Sequence, residues 1–157
     1  MPPAGSDTMA IAMITPSDLL GHKIQAVSGV VHYFDEKPTG DANPVCLTLD
    51  GLGPVSFRCS DEGSVDIAVE DLANVDMAES GALRVEPPTL GSVLAKTEGQ
   101  VIVNVSTLVN QEPSFQIGLL LGLGDGSALA IANVGDQLLC QSWPSTRWRE
   151  LGISTEG

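Results

Sequence analysis

Aromatic residues are scarce in this chain, one Tyr, two Trp and three Phe among 157 residues, so stacked rings cannot fill its interior. A core has to be built from Val, Leu, Ile and Ala, and that supply suits pleated sheets. Basic residues are few as well: seven Lys and Arg stand against twenty Asp and Glu, for a formal net charge of −13. Affinity for nucleic acid rests on Lys and Arg displacing counterions from phosphate, so nucleic acid is disfavoured as a partner, and an anionic membrane surface equally so. An acidic field instead speeds encounter with a basic protein.

The three cysteines, Cys46, Cys59 and Cys140, form no CxxC pair and leave one thiol over in any disulfide scheme. They read as reduced, buried thiols in a cytoplasmic protein. No stretch reaches the ~18 apolar residues of a membrane span, and the opening Met-Pro-Pro-Ala-Gly-Ser-Asp-Thr-Met lacks the basic start of a secretory signal. Residues 1–14 read as a mobile N-terminus.

Catalytic grammar is missing too. His22 and His32 lie in no metal-ligand spacing and nothing groups Cys with His, so no metal and no cofactor is expected. Asp35-Glu36 and Asp61-Glu62 are adjacent carboxylates in turns, where neighbouring side chains point apart rather than sharing a substrate. Gly122-Leu123-Gly124-Asp125-Gly126 has closely spaced glycines but no following helix pattern and no Lys, so it is a hairpin turn rather than a phosphate cradle. No serine occupies a Gly-x-Ser-x-Gly elbow. The chain is expected not to be an enzyme.

What is present is a foldable, strand-rich pattern. Hydrophobic residues make up 43% of the chain and charged ones 17%, which suits one compact domain over residues 15–157. Thr15-Pro16-Ser17-Asp18 opens a short helical turn that Gly21 stops. Residues 23–34 predict one long strand, or two with a bend near Gly29. Residues 45–49 and 55–59 alternate around Asp50-Gly51-Leu52-Gly53-Pro54 as a hairpin, and 65–69 alternate again. Residues 71–85 suit a short helix or a last strand, and Glu86-Pro87-Pro88 breaks the chain.

The same order of elements then recurs. A Leu-Gly start near Leu90-Gly91 leads into a strand over 101–105, a polar loop at 110–114 and a second hairpin, 117–123 with 128–132, across Gly124-Asp125-Gly126-Ser127. Gly135-Asp136 then turns into 138–140. Gly21 aligns with Gly91, Asp50-Gly51 with Asp125-Gly126, and Gly63 with Gly135. The fold expected is mainly β, or α+β with few short helices. It holds two similar antiparallel sub-sheets from an internal duplication, about 15–86 and 87–151, packed around one core. The second hairpin is apolar on both faces and so should be covered on both.

Two features stand out as candidate contact surfaces. Between Asp61 and Glu79 the chain carries seven carboxylates, Asp61, Glu62, Asp66, Glu70, Asp71, Asp76 and Glu79, and no Lys or Arg. Either they keep a sheet edge solvated, which deters edge-to-edge pairing, or they form a docking face for a basic partner. Trp143 and Trp148, the only indoles, either close the core or anchor an interface beside Arg147 and Arg149.

The run from Ile117 to Leu138, Ile-Gly-Leu-Leu-Leu-Gly-Leu-Gly-Asp-Gly-Ser-Ala-Leu-Ala-Ile-Ala-Asn-Val-Gly-Asp-Gln-Leu, resembles small β-rich immunity proteins of bacterial polymorphic toxin systems. That resemblance implies a non-catalytic protein that inhibits a cognate toxin, expected to be basic, by occluding its active site. On this reading the seven carboxylates and the two tryptophans are the partner-binding residues, and charge reversal at Asp66 and Glu70 slows capture. The alternative is a small-ligand-binding or enzymatic β-domain with a pocket between the two repeats.

Overall fold

A computed structural model describes residues 12–155 apart from 41, 89–91 and 112–113. Strands dominate it. β1 (Ala12–Met13) precedes a 3-10 turn over Pro16–Leu19, and β2 (Ile24–Phe34), β3 (Lys37–Pro38), β4 (Val45–Leu49), β5 (Gly53–Cys59) and β6 (Val65–Val69) follow. β7 (Val75–Asp76) and β8 (Ala82–Glu86) complete the first sheet. After a single helical turn at Val93–Lys96 come β9 (Ile102–Gln111), β10 (Ser114–Leu123), β11 (Ala128–Val134) and β12 (Gln137–Ser142). A short helix over Thr146–Glu150 leads to β13 (Ile153–Thr155).

The strands form two antiparallel sheets, one eight-stranded in the order β1-β6-β5-β4-β2-β8-β7 with β3 on β2, the other five-stranded in the order β12-β11-β10-β9-β13. The series β6-β5-β4-β2-β8 and β12-β11-β10-β9-β13 are the same arrangement: a four-stranded meander whose first strand also takes the last strand of its half. Register repeats with topology. Ile24 opposes Leu49 and a bulge follows before Ala26; Ile102 opposes Leu123 and a bulge follows before Asn104. Leu47 opposes Val55 as Leu121 opposes Leu129, and Val45 opposes Phe57 as Leu119 opposes Ile131.

The two halves also meet in a mirrored contact. Lys23 and Val101 form an antiparallel bridge. Around it Gly21 N donates to Ile102 O at 2.8 Å, and Gly99 N donates to Ile24 O at 2.7 Å. The structural partner of Gly21 is therefore Gly99, because bridge and register match these two positions; Gly91 lies outside the described residues. Thr15 anchors the opening turn, its N and Oγ1 both donating to Asp18 Oδ2 at 2.9 and 3.1 Å.

One main core lies between the sheets. The odd-numbered face of the first hairpin, Val45, Leu47, Leu49, Val55 and Phe57, packs on Leu119, Leu121, Leu123, Leu129 and Ile131 of the second. Period-two alternation places these side chains on one face, and burial of such a face is what holds a sandwich together. A second cluster lies on the other face of the five-stranded sheet, where Trp148 packs with Leu108, Ile117, Ala130, Ala132 and Ile153. Both faces of β11 are covered, as its apolar run over residues 128–132 requires.

Some boundaries differ from those expected. Within the stretch 1–14 expected to be mobile, Ala12 and Met13 instead pair with Val69 and Ala68; residues 1–11 lie outside the described residues. β9 and β10 run longer than their apolar cores, because antiparallel pairing carries polar residues such as Asn110 and Gln116 along with it. β13 has no signal of its own, being a three-residue strand made by its partner β9.

Candidate functional site

The antiparallel register decides which acidic side chains share an end of the molecule. Gly29, Val45 and Phe57 lie at one level across β2, β4 and β5. Beyond that level, toward the C-terminal ends of β2 and β5, come the β2–β3 turn with Asp35 and Glu36 and the β5–β6 turn with Asp61 and Glu62. Gly29 opposes Glu86 and Tyr33 opposes Ala82, while Asp76 opposes Ala82 in turn. Asp76 and the neighbouring Glu79 therefore belong to the same end. All six are exposed.

The second sheet adds to this end through Asn133. Its buried side chain, 5% exposed, donates from Nδ2 to Ser64 O at 3.1 Å and Ser60 O at 3.4 Å, and Asn133 Oδ1 accepts from Asp136 N at 3.0 Å. One amide thus pins the β5–β6 turn of one half against the β11–β12 turn of the other. The second turn brings exposed Asp136 beside Asp61 and Glu62. Burial raises the Cys59 thiol pKa above its ordinary value, and the Asp136 charge adds to the rise.

The stretch from Asp61 to Glu79 is consequently not one surface. β6 and β7 stand near opposite edges of the large sheet, five strand spacings apart, or roughly 24 Å at ~4.8 Å per strand. Asp66 is exposed on β6 opposite Arg58. Glu70 and Asp71 lie at the far end, where Glu70 N donates to Pro54 O. Glu70 is also not an uncompensated charge: it is ion-paired with Arg58 Nη2 and accepts from Ser56 Oγ at 2.7 Å. Sequence order concealed this pair because Arg58 sits outside the acidic run, and the strands bring the two together.

The tryptophans part company. Trp148 is 1% exposed and its Nε1 donates to Ser142 O at 2.9 Å. Its ring centroid lies 6.0 Å from that of Trp143, at an interplanar angle of 43°. As a partner contact Trp148 is excluded by burial, whereas Trp143 is half-buried at the edge of the same cluster.

Two clefts accompany these groups. One, of about 410 Å³, lies between the halves and is lined by Ser28, Val31, Tyr33, Glu86, Leu138 and Cys140 among others. Tyr33 OH donates to Glu86, 2.7 and 2.8 Å from its two carboxylate oxygens, and the Arg84 guanidinium stacks 4.7 Å from the Tyr33 ring centroid. The hydrogen bond to Glu86 is the main cause that raises the Tyr33 pKa. The other cleft, of about 300 Å³, sits at the Asn133 end against Phe115, Val134, Leu151, Ile153 and Gly63. Neither Phe115 nor Leu151 was suggested by the pattern of the sequence, since each sits singly among polar neighbours. The signal that could have pointed here is Asn133, a polar residue inside an apolar strand.

Among the described residues no three His, Cys, Asp or Glu side chains converge as a metal site, no disulfide joins Cys46, Cys59 and Cys140, and no helix is long and apolar enough to cross a membrane. No family model matches this sequence, and comparison with curated proteins and with solved structures gives no match.

Proposed function

We propose that this chain is a binding protein whose acidic end captures a basic protein partner, in the manner of an immunity-type inhibitor that occludes the active site of a cognate bacterial toxin. The observation that carries this reading is the pairing of two turns from different halves, joined by Asn133, that bring exposed Asp61, Glu62 and Asp136 to one end of the sandwich, where exposed Asp35, Glu36, Asp76 and Glu79 lie farther along the large sheet. Like charges held together by the fold raise the local potential, which accelerates encounter with a basic surface and repels acidic competitors. Glu70 is removed from the contact set, because Arg58 already satisfies it, and Trp148 is removed because it is buried.

Stopped-flow association with a basic toxin domain, sought among the neighbouring genes and by co-purification, tests the reading. The double change Asp61→Lys, Glu62→Lys should lower the association rate about tenfold at low salt and flatten its dependence on ionic strength. Association that keeps its rate and salt dependence would overturn it.

A second reading has its own support in the cleft between the halves, where Tyr33 and Glu86 present a hydroxyl and a carboxylate beside Val31 and Leu138. A small polar ligand bound there would be found by mass spectrometry of the natively purified protein, and Tyr33→Phe should release it.

A further inference from the structure

We infer that the smaller cleft is the anchor pocket of the acidic end: it takes one apolar side chain from a partner segment whose flanking residues are Lys or Arg. The inference rests on the acidic-end reading and specifies what the partner must present. Six large hydrophobic side chains are conspicuously exposed among the described residues, and of these Phe115 and Leu151, at 41% and 38%, line this cleft. Beneath them the buried Ile117 and Ile153 form an apolar floor. An exposed apolar recess of this kind is stabilised by filling it, whereas scattered surface hydrophobes need no explanation.

The recess is held open by the fold. Gly63 stands where any Cβ would approach Phe115 Cε2 to 3.6 Å, so a longer side chain there would compete for the same space. Asn133 fixes the turns on either side through its three hydrogen bonds, so the rim does not collapse into the cleft. The rim is acidic: Asp136 lines the cleft, and Asp61 and Glu62 lie in the adjoining turn next to Gly63. A second copy of this chain is a poor occupant, because each copy carries a net charge of −13 and would bring carboxylates against carboxylates. A basic segment with a central Leu answers both features, apolar floor and acidic rim. Interfaces of this design concentrate affinity in one desolvated anchor and use the charged rim for orientation and rate.

The test uses two capped synthetic peptides, Lys-Arg-Leu-Arg-Lys and Lys-Arg-Ser-Arg-Lys, titrated into the isotope-labelled full chain and followed by amide chemical shifts. The Leu peptide should bind about tenfold more tightly than the Ser peptide and should shift Gly63, Phe115, Val134 and Leu151. Phe115→Ser and Leu151→Ser, each at an exposed site, should remove that advantage while leaving the rest of the spectrum in place. Equal, salt-sensitive binding of both peptides would overturn the anchor and leave the acidic end standing. Salt-insensitive binding of the Leu peptide, unaffected by Asp61→Lys and Glu62→Lys, would overturn the requirement for basic flanks and the acidic-end reading with it. Shifts confined to Tyr33 and Val31, or no shifts with either peptide, would overturn the inference outright.

Discussion

Gly21 and Gly99 occupy equivalent positions in the two halves and reach across to each other's strand. Gly21 bonds to Ile102 and Gly99 to Ile24, at 2.8 and 2.7 Å, with φ of 84° and 87°. Positive φ of this size is costly for any residue with a Cβ, and at neither position would a Cβ meet another atom within 4 Å. Gly21→Ala and Gly99→Ala should therefore each cost about 1–2 kcal/mol of backbone strain, with no clash on top. Urea unfolding should give two nearly equal losses. A loss at one position alone would mean that the halves do not share the load at this junction.

Trp148 closes the outer face of the five-stranded sheet and has its indole N–H satisfied by Ser142 O. Trp148→Ala should cost about 3–5 kcal/mol. Trp148→Phe keeps most of the packing and strands the Ser142 carbonyl, for about 1–3 kcal/mol. Trp143→Ala, at a half-buried site, should cost less than either. Denaturant midpoints for the three variants check this order.

Glu70 links Arg58 to the buried hydroxyl of Ser56. Glu70→Ala removes the better acceptor of that hydroxyl and should destabilise by about 1–2 kcal/mol, whereas Glu70→Gln should cost less because an amide oxygen still accepts. Neither change should alter capture of a basic partner. Asp61→Lys should do the opposite, with stability unchanged and association slowed. Calorimetry and stopped-flow on the same variants separate the two effects.

Tyr33 is the only tyrosine, so its ionisation can be followed by phenolate absorbance without ambiguity. Its hydrogen bond to Glu86 raises the pKa above the ordinary value of 10.0. The folded state then holds this proton more tightly than the unfolded chain. The stabilisation is complete below pH 10.0 and is lost as pH rises through the folded-state pKa. Glu86→Ala should bring the native titration midpoint down. An unchanged midpoint would show that the hydrogen bond is not what raises it.

The strands were legible wherever large apolar residues alternate with small or polar ones. Val45, Leu47 and Leu49, and then Val55 and Phe57, alternate with Cys46, Thr48, Ser56 and Arg58, which fixes the register. Cys46 and Ser56 on the second face are buried as well, which alternation alone did not show. The continuous apolar run at residues 128–132 likewise announced a strand covered on both faces. β13 was not legible, because Ile153, Ser154 and Thr155 become a strand only when β9 lies beside them. The repeat was visible in its order of elements but misplaced in detail, since Gly21 finds its counterpart through a hydrogen-bond pair and not through likeness of neighbouring letters.

The sequence by itself determined the class of fold, the aliphatic core and the large negative charge, since these depend on composition and on period-two patterning along each strand. Tertiary structure alone decided where the charge acts. Asp66 and Asp76, ten residues apart in one acidic run, were carried toward opposite edges of a sheet, while the turns bearing Asp61 and Asp136, from different halves, were joined by Asn133. Charge–charge and hydrogen-bond energies depend on distance through space, and in a sandwich of paired strands that distance is fixed by register and topology rather than by position in the chain.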